Sequence, residues 1–128
     1  FTDLKTASFI KYSINTFLAN KVIFFNELHS VYEKLQVKDS WESVVNTISK
    51  DSRIGESHMN VPGHDGRRGF GGACFPKDSL ALIKFAKSLD IDMNALISTV
   101  KINNKIRSEY SDLDSRESEQ NVSFDDKI

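Results

Sequence analysis

The single cysteine of the chain, Cys74, follows a glycine-rich segment and comes just before a helix that we expect Pro76 to begin. The helix dipole and the ammonium group of Lys77 both stabilise a thiolate at such a position. Gly71 and Gly72 have no side chains, so their N–H groups can approach an anionic or polar ligand closely. These residues predict a nucleophilic thiol beside a ligand-binding loop. An inert, buried cysteine is the alternative.

Three polar residues are suited to chemistry at this thiol. Asp78 lies one helical turn beyond Cys74, where its carboxylate can act on a proton or a water molecule. Lys11 and Asn15 are one turn apart on a predicted helix and present an ammonium and an amide on one face, which suits the stabilisation of an oxyanion. For each of these residues, an ordinary solvated or capping role on a helix is the alternative interpretation.

The glycine-rich segment is flanked by three arginines, Arg53, Arg67 and Arg68. Their planar guanidinium groups suit a phosphate or carboxylate ligand, with solvated loop charge as the alternative. The two histidines and the aspartate in the same segment match no spacing typical of zinc ligands. We therefore predict an anion-binding loop and no metal site.

The composition limits the class of protein. The chain has 128 residues, with 17 basic and 18 acidic side chains and a formal net charge of −1, as expected for one globular domain. It has neither an excess of basic residues nor a nucleic-acid-binding motif, so we predict no nucleic-acid partner. No apolar run approaches the roughly 20 residues of a membrane helix, and the first residues lack the order of a signal peptide. These features predict a cytoplasmic protein that does not enter a membrane.

A long helix is expected over residues 4–35, because apolar residues recur at helical spacing without glycine or proline and Asp3 can cap its start. Its apolar surface extends to more than one side, since Phe9, Ile23 and Phe24 fall outside the main stripe. A small monomer could not easily cover all of this surface. We therefore predict a homodimer built on the long helix.

Three more helices are expected, one opening at Asp39 with Glu42 in a capping box, one beginning at Pro76, and one capped by Asp92. No alternating strand pattern competes with them, so the predicted fold class is all-α. Between residues 50 and 74 the helical periodicity stops, and all six glycines of the chain lie there. A loop of this length inside a compact domain is typical of a functional segment.

The end of the chain differs in composition from the rest. Residues 111–128 carry two basic and six acidic side chains, with only scattered apolar ones. Burial of so little apolar surface does not offset the entropy lost on ordering. We therefore expect one domain over residues 1–110 and a disordered acidic tail or linker over residues 111–128.

The run from Gly69 to Asp78, GFGGACFPKD, closely resembles the active-site segment of UDP-glucose 6-dehydrogenases. Residues 7–27 are similar to the long central helix of the UDP-glucose/GDP-mannose dehydrogenase family, and residues 51–55, DSRIG, precede the loop at the expected place. The resemblance covers residues 4–108. The sequence from Phe70 to Asp78 resembles the UDP-glucose branch of the family more than its GDP-mannose branch. It implies an all-α central dimerisation domain, similar to the C-terminal domain of 6-phosphogluconate dehydrogenase.

The resemblance also implies a reaction. In that family, the C6 alcohol of UDP-glucose is oxidised by two NAD⁺ to UDP-glucuronate, through a cysteine thiohemiacetal and a thioester. Cys74 matches the nucleophile, and Asp78 matches the carboxylate that positions or activates water. Lys11 and Asn15 match the pair that stabilises the oxyanion. Arg53 matches an arginine that reaches the sugar in the neighbouring subunit's active site.

Substrate binding is implied for the loop over residues 62–72, whose main chain holds the nucleotide sugar in the family. Phe70, Gly71 and Gly72 belong to this loop, and Lys77 is counted with the substrate-binding residues. The family's NAD-binding domain lies outside this region, and the chain has no G-x-G-x-x-G motif after a strand. We therefore expect the chain alone to be inactive. The alternatives are a non-catalytic dimerisation module with relic active-site residues and a GDP-mannose dehydrogenase relative.

Overall fold

The computed structural model describes residues 3–124, and this part of the chain is helical with irregular connections and no β-strand. The helices are α1 (Leu4–Leu35), α2 (Trp41–Ile48), α3 (Cys74–Ser88), α4 (Asn94–Arg107) and α5 (Ser115–Glu119). The predicted all-α class is confirmed. None of these helices is long and apolar enough to cross a membrane.

The long helix α1 has the predicted bounds. The Asp3 side chain caps its start by accepting a hydrogen bond from the Thr6 N–H at 2.8 Å. The helix ends at Gln36, whose left-handed backbone (φ 54°) breaks the hydrogen-bonding pattern. At about 1.5 Å per residue, the 32 residues of α1 make a helix roughly 48 Å long, which packs against α3 and α4.

Two of the predicted caps are wrong by one residue. Ser40, and not Asp39, caps α2, because its hydroxyl accepts from the Ser43 N–H at 3.1 Å. Asp92 lies one residue too early to cap α4, which follows Met93 without a side-chain cap. In both places two adjacent residues could occupy the N-cap position, Asp39 or Ser40 before α2 and Asp92 or Met93 before α4. The local backbone angles decide which of the two occupies it.

The helix predicted at Pro76 begins two residues earlier than expected. Cys74 is itself the first residue of α3, and Pro76 stands in the same first turn. The irregular loop that precedes it runs from the end of α2 to α3, over residues 49–73. The cysteine therefore lies at the junction of the glycine-rich loop and a helix N-terminus.

The core forms where α3 and α4 pack on α1. Buried apolar side chains make three clusters: Ala19, Ile23, Phe70 and Ile106; Leu82, Ile83, Leu96 and Val100; Phe25, Val45 and Met59. The first cluster contains Phe70 from the glycine-rich loop. The loop is thus anchored in the core next to Cys74, as a preorganised site needs.

The acidic segment departs from the expected disorder. Residues 115–119 form α5, which begins with a capping box between Asp114 and Glu117, and Glu117 is fully buried. Hydrogen bonds and ion pairs to the rest of the domain, together with one buried apolar side chain, Val122, hold this segment. The expectation for residues 125–128 lies outside the described residues, and the division at residue 110 stays a prediction.

Candidate active site

The conformation of the glycine-rich loop is fixed by asparagines from two helices. Asn26 of α1 accepts a hydrogen bond from the Gly69 N–H at 2.9 Å. Asn103 of α4 binds the main chain of Phe70 on both sides, accepting from its N–H at 2.7 Å and donating to its C=O at 2.9 Å. Both asparagines are buried, so these bonds do not compete with water. The two helices thereby set the path of the loop.

A buried arginine and two carboxylates hold the next part of the loop. Arg107 of α4 donates from Nη2 to Asp65 Oδ2 at 2.8 Å and to the Gly69 C=O at 3.3 Å. Its Nη1 lies 3.6 Å from Glu117 Oε2, which also accepts from the Gly72 N–H at 2.9 Å. The Arg107 side chain is only 1% exposed, so these charged contacts are among the strongest in the loop.

Two glycines are required here for steric reasons. Gly69 has a positive φ of 73°, and a Cβ on it would come within 2.5 Å of Asn103 Oδ1. A Cβ on Gly71 would collide with Glu117 Oε2 and the Arg107 guanidinium. The glycine-rich sequence therefore allows the backbone to approach these polar side chains directly.

A cavity of about 340 Å³ opens beside this loop. Its lining includes Phe70, Gly71, Gly72, Cys74, Phe75, His58, His64, Asp65, Arg107, Asp114 and Arg116. Cys74 is exposed at its rim, at the first position of α3. The volume is in the range of small-molecule sites, which run from about 300 to 1,000 Å³. The structure thus brings the thiol, the loop amides and two arginines to one cavity.

The structure also joins two predicted residues that are far apart in the sequence. Asn15 Nδ2 on α1 donates to Asp78 Oδ2 on α3 at 2.7 Å, where the two helices pack together. Asp78 is 8% exposed, so the contact is largely shielded from water. Lys11, one turn before Asn15, is exposed, and its Nζ lies 5.9 Å from the centre of the Tyr12 ring.

The remaining predicted residues point elsewhere. Lys77 is exposed and its Nζ donates to Gln120 Oε1 at 3.0 Å, so it contacts the acidic segment. Arg53 is exposed and forms a two-pronged ion pair with Asp51 at 3.0 and 2.7 Å. This pairing lowers the pKa of Asp51 below its ordinary value. Among the residues that line the cavity within 3–124, the structure places none of Lys11, Asn15, Asp78, Lys77 and Arg53.

The charges around the cavity shift two titratable groups. Burial opposes ionisation of Asp65, but hydrogen bonds from Arg107 and the Arg67 N–H outweigh it, so the pKa of Asp65 is lowered from 3.8. Burial lowers the pKa of His58 below 6.5, and its electrostatic interactions with Lys21 and His64 act in the same direction. At neutral pH, Asp65 is therefore a carboxylate and His58 is a neutral imidazole.

Comparison with known proteins decides the family. The model of the UDP-glucose/GDP-mannose dehydrogenase family, central domain, matches residues 5–105. The chain belongs to this family. A UDP-glucose 6-dehydrogenase of Bacillus subtilis (strain 168), YwqF, is 39% identical over 103 residues, which are 80% of this chain and 22% of the relative.

Further relatives have the same name. UDP-glucose 6-dehydrogenases of Rhizobium meliloti (strain 1021) and Rickettsia typhi (strain ATCC VR-144 / Wilmington) are each 41% identical, over 103 and 108 residues. These matches cover 80% and 83% of this chain, and 22% and 23% of the relatives. The chain therefore spans less than a quarter of the length of these dehydrogenases, in the region of the family's central domain.

Four residues that hold the loop of this family member were missed from the sequence: Asn26, Asn103, Arg107 and Glu117. A signal existed for three of them. Asn26 continues the buried face of α1 after Ala19 and Ile23, and Asn103 and Arg107 continue that of α4 after Leu96. A polar residue on an otherwise buried helix face indicates a buried polar partner. Glu117 lies in a segment whose composition gives no such signal.

Proposed function

We propose that this chain is the catalytic central domain of an NAD-dependent UDP-glucose 6-dehydrogenase, and that its thiol carries the second stage of the oxidation to UDP-glucuronate. The observation that carries the proposal is the position of Cys74. It is exposed at the N-terminus of α3 and on the rim of a cavity formed by the glycine-rich loop. The relatives named UDP-glucose 6-dehydrogenase align with 80% of this chain, at 39% and 41% identity.

The cavity suits the diphosphate and sugar of a nucleotide sugar. Gly71, Gly72 and the two arginines Arg107 and Arg116 line the cavity and offer donors to an anionic ligand, although two carboxylates, Asp65 and Asp114, line it as well. Phe70 and Phe75 supply apolar walls. The Phe70 and Phe75 rings meet edge to face, with centroids 6.1 Å apart, which fixes that wall. Arg53 is exposed, and by exchanging its partner Asp51 it would reach a site on a second copy of the chain.

The chemistry assigned to these side chains is acyl transfer through sulfur. The Cys74 thiolate adds to the C6 carbonyl carbon of the aldehyde, and its electron pair moves to the oxygen, giving a thiohemiacetal oxyanion. Transfer of a hydride from that carbon to NAD⁺, which the residues of this chain do not hold, would give a thioester. Attack by water on the thioester then releases the carboxylate and returns the thiol.

Asn15 and Asp78 act in these steps as a pair. An amide nitrogen has two N–H groups, and Asn15 uses one of them to hold Asp78. The second N–H, with the ammonium of Lys11, is available to the oxyanion. The held Asp78 carboxylate accepts a proton from the attacking water.

The residues of this chain do not fit a nicotinamide dinucleotide. Such cofactors bind where a parallel strand meets a helix through a G-x-G-x-x-G turn. Residues 3–124 contain no β-strand, and the glycine-rich run here, G-F-G-G-A-C, leads into a helix from an irregular loop. NAD binding is therefore assigned to residues outside these 128.

The test of the proposal is a chimera with a dehydrogenase of the family. Residues 5–105 replace the matching segment of the Bacillus subtilis relative, and NADH formation is followed with UDP-glucose and, separately, with GDP-mannose. We expect UDP-glucose to be the better substrate, whereas these 128 residues alone give no NADH. If the chimera has the melting temperature of its parent but oxidises neither sugar nucleotide, the chain is a non-catalytic dimerisation module. If it oxidises GDP-mannose better than UDP-glucose, the chain belongs to the GDP-mannose dehydrogenases of the family.

We also propose that two copies of the domain associate through α1. Ile14, Phe17, Phe24, Val31 and Leu35 recur at spacings of three, four and seven residues, and each is more than half exposed. They form one apolar face, separate from the Thr16, Ala19 and Ile23 face that packs in the core. Helices with this period pair along such faces.

Exchange of Phe24 for glutamate should weaken the dimer at least 30-fold, because about 2 kcal/mol is lost when a central aromatic contact is removed. Sedimentation equilibrium measures the dissociation constant. The control is Ile91→Glu, which changes a similarly exposed apolar residue outside α1 and should leave the dissociation constant unchanged. The dimer proposal fails if the unmodified chain sediments as a monomer above micromolar concentration or if Phe24→Glu matches the control.

A further inference from the structure

The acidic segment, residues 111–124, contacts basic groups of the rest of the domain at three points, and one of these groups, Arg107, lines the cavity. Arg67 donates to the Asp112 C=O at 2.7 Å and to its carboxylate at 3.2 Å. Lys77 donates to Gln120. The third contact is the deepest, since the fully buried Glu117 lies against Arg107. The segment therefore engages the same kinds of groups that an anionic ligand of the cavity would use.

The carboxylate of Glu117 has the surroundings of a bound anion. Its Oε2 accepts from the Gly72 N–H at 2.9 Å and lies 3.6 Å from Arg107 Nη1. Arg107 lines the cavity and is buried, yet its Nη1 and Nε have no hydrogen-bond partner within residues 3–124. These two donors, of which Nη1 makes only the longer ion pair with Glu117, lie on a buried guanidinium next to a main-chain amide. They are a preformed setting for an oxyanion with more oxygens than a carboxylate has.

We propose that the Gly72 amide and the Arg107 guanidinium form a binding site for the phosphate groups of the cavity's ligand, and that Glu117 occupies this site until the ligand displaces it. The inference rests on the proposed function, in which that ligand is a nucleotide sugar. The acidic segment is then an internal competitor, and binding of the ligand releases it.

The structure allows this exchange at low energetic cost. When Glu117 leaves, Arg107 keeps Asp65 as a counter-ion at 2.8 Å, so it is not left as an isolated buried charge. The segment is held by few apolar contacts, since Val122 is its one buried apolar residue within the described part of the chain. Its helix α5 has five residues, too few to be stable on its own.

The test uses the full chain and inorganic pyrophosphate as the probe, with binding measured by calorimetry. Glu117→Gln removes the competing charge and should tighten pyrophosphate binding about tenfold, as expected if the site is open in about a tenth of unmodified molecules. The matched control is Glu119→Gln, an exposed glutamate on the same helix, which should leave the affinity unchanged. Val122→Asp, which undocks the segment without touching the site, should also tighten binding.

Hydrogen exchange supplies the second measurement. Saturating pyrophosphate should speed exchange of the amides of residues 111–124 in the unmodified chain, because the segment is displaced. The proposal is overturned if neither Glu117→Gln nor Val122→Asp tightens binding, if none of the proteins binds pyrophosphate, or if the segment stays protected when the ligand is bound. Failure of the proposed function has a different signature, in which the variants bind pyrophosphate more tightly but do not bind UDP-glucose.

Discussion

Exchange of Cys74 for alanine in the chimera should lower the rate of NADH formation from UDP-glucose by roughly 10³-fold or more, which is the scale seen when a catalytic nucleophile is removed. The physical reason is that, in the proposed mechanism, the thiol converts the aldehyde into a thiohemiacetal and holds it as a covalent intermediate. Without sulfur there is no thioester to hydrolyse, and the second oxidation loses its route. Initial rates at saturating UDP-glucose measure the effect.

Two comparisons make this result specific to the thiol. Lys87→Ala changes an exposed residue in the last turn of the same helix, at the opposite end from Cys74. Its rate of NADH formation should stay within twofold of that of the unmodified chimera. The affinity of Cys74→Ala for UDP-glucose should stay close to that of the unmodified chimera, since the proposed function assigns nucleotide binding to the loop amides and not to the thiol. An alanine variant that retains a tenth of the activity would contradict a nucleophilic role.

Features that depend on neighbouring residues could be predicted from the sequence. The bounds of α1 follow from an uninterrupted apolar period and a capping aspartate, and the structure has them from Leu4 to Leu35. Six glycines in one stretch and a proline just after it predicted a loop that runs into a helix at Pro76, and the structure has this helix from Cys74, two residues earlier. The exact caps of α2 and α4 depend on differences in backbone angle between adjacent residues, which composition does not reveal.

Features that depend on distant residues could not be predicted in the same way. The Asn15–Asp78 hydrogen bond joins residues 63 positions apart, and the sequence suggested each residue singly but not their contact. The clamp on the loop by Asn103 and Arg107 needs the packing of α4 against the loop. Glu117 is held by the Gly72 N–H and the Arg107 guanidinium, which are distant in the sequence. The composition of residues 111–128 does not reveal such contacts, so it suggested disorder where the structure has α5.

The most destabilising single change we expect in this network is Arg107→Met, with a loss of about 3–5 kcal/mol in the free energy of unfolding. Methionine fills a similar volume, but Asp65 and Glu117 would then be carboxylates near no buried cation, and the Gly69 C=O would lose a donor. Urea denaturation at neutral pH measures the loss. Lys105→Met, an exposed lysine on the same helix, is the control and should change stability by no more than about 0.5 kcal/mol.

The pH dependence of this loss separates a charge effect from a packing effect. Arg107 lowers the pKa of Asp65 below 3.8, so the stability that this pair contributes is fully present above that value and is lost as the pH falls through the lowered pKa. The stability difference between the unmodified chain and Arg107→Met should therefore narrow in acid. Neutralising both carboxylates in the triple variant Arg107→Met, Asp65→Asn, Glu117→Gln should recover much of the loss, because no unpaired charge then remains buried. A loss below about 1 kcal/mol, or a triple variant no more stable than Arg107→Met alone, would show that packing rather than charge pairing holds the loop.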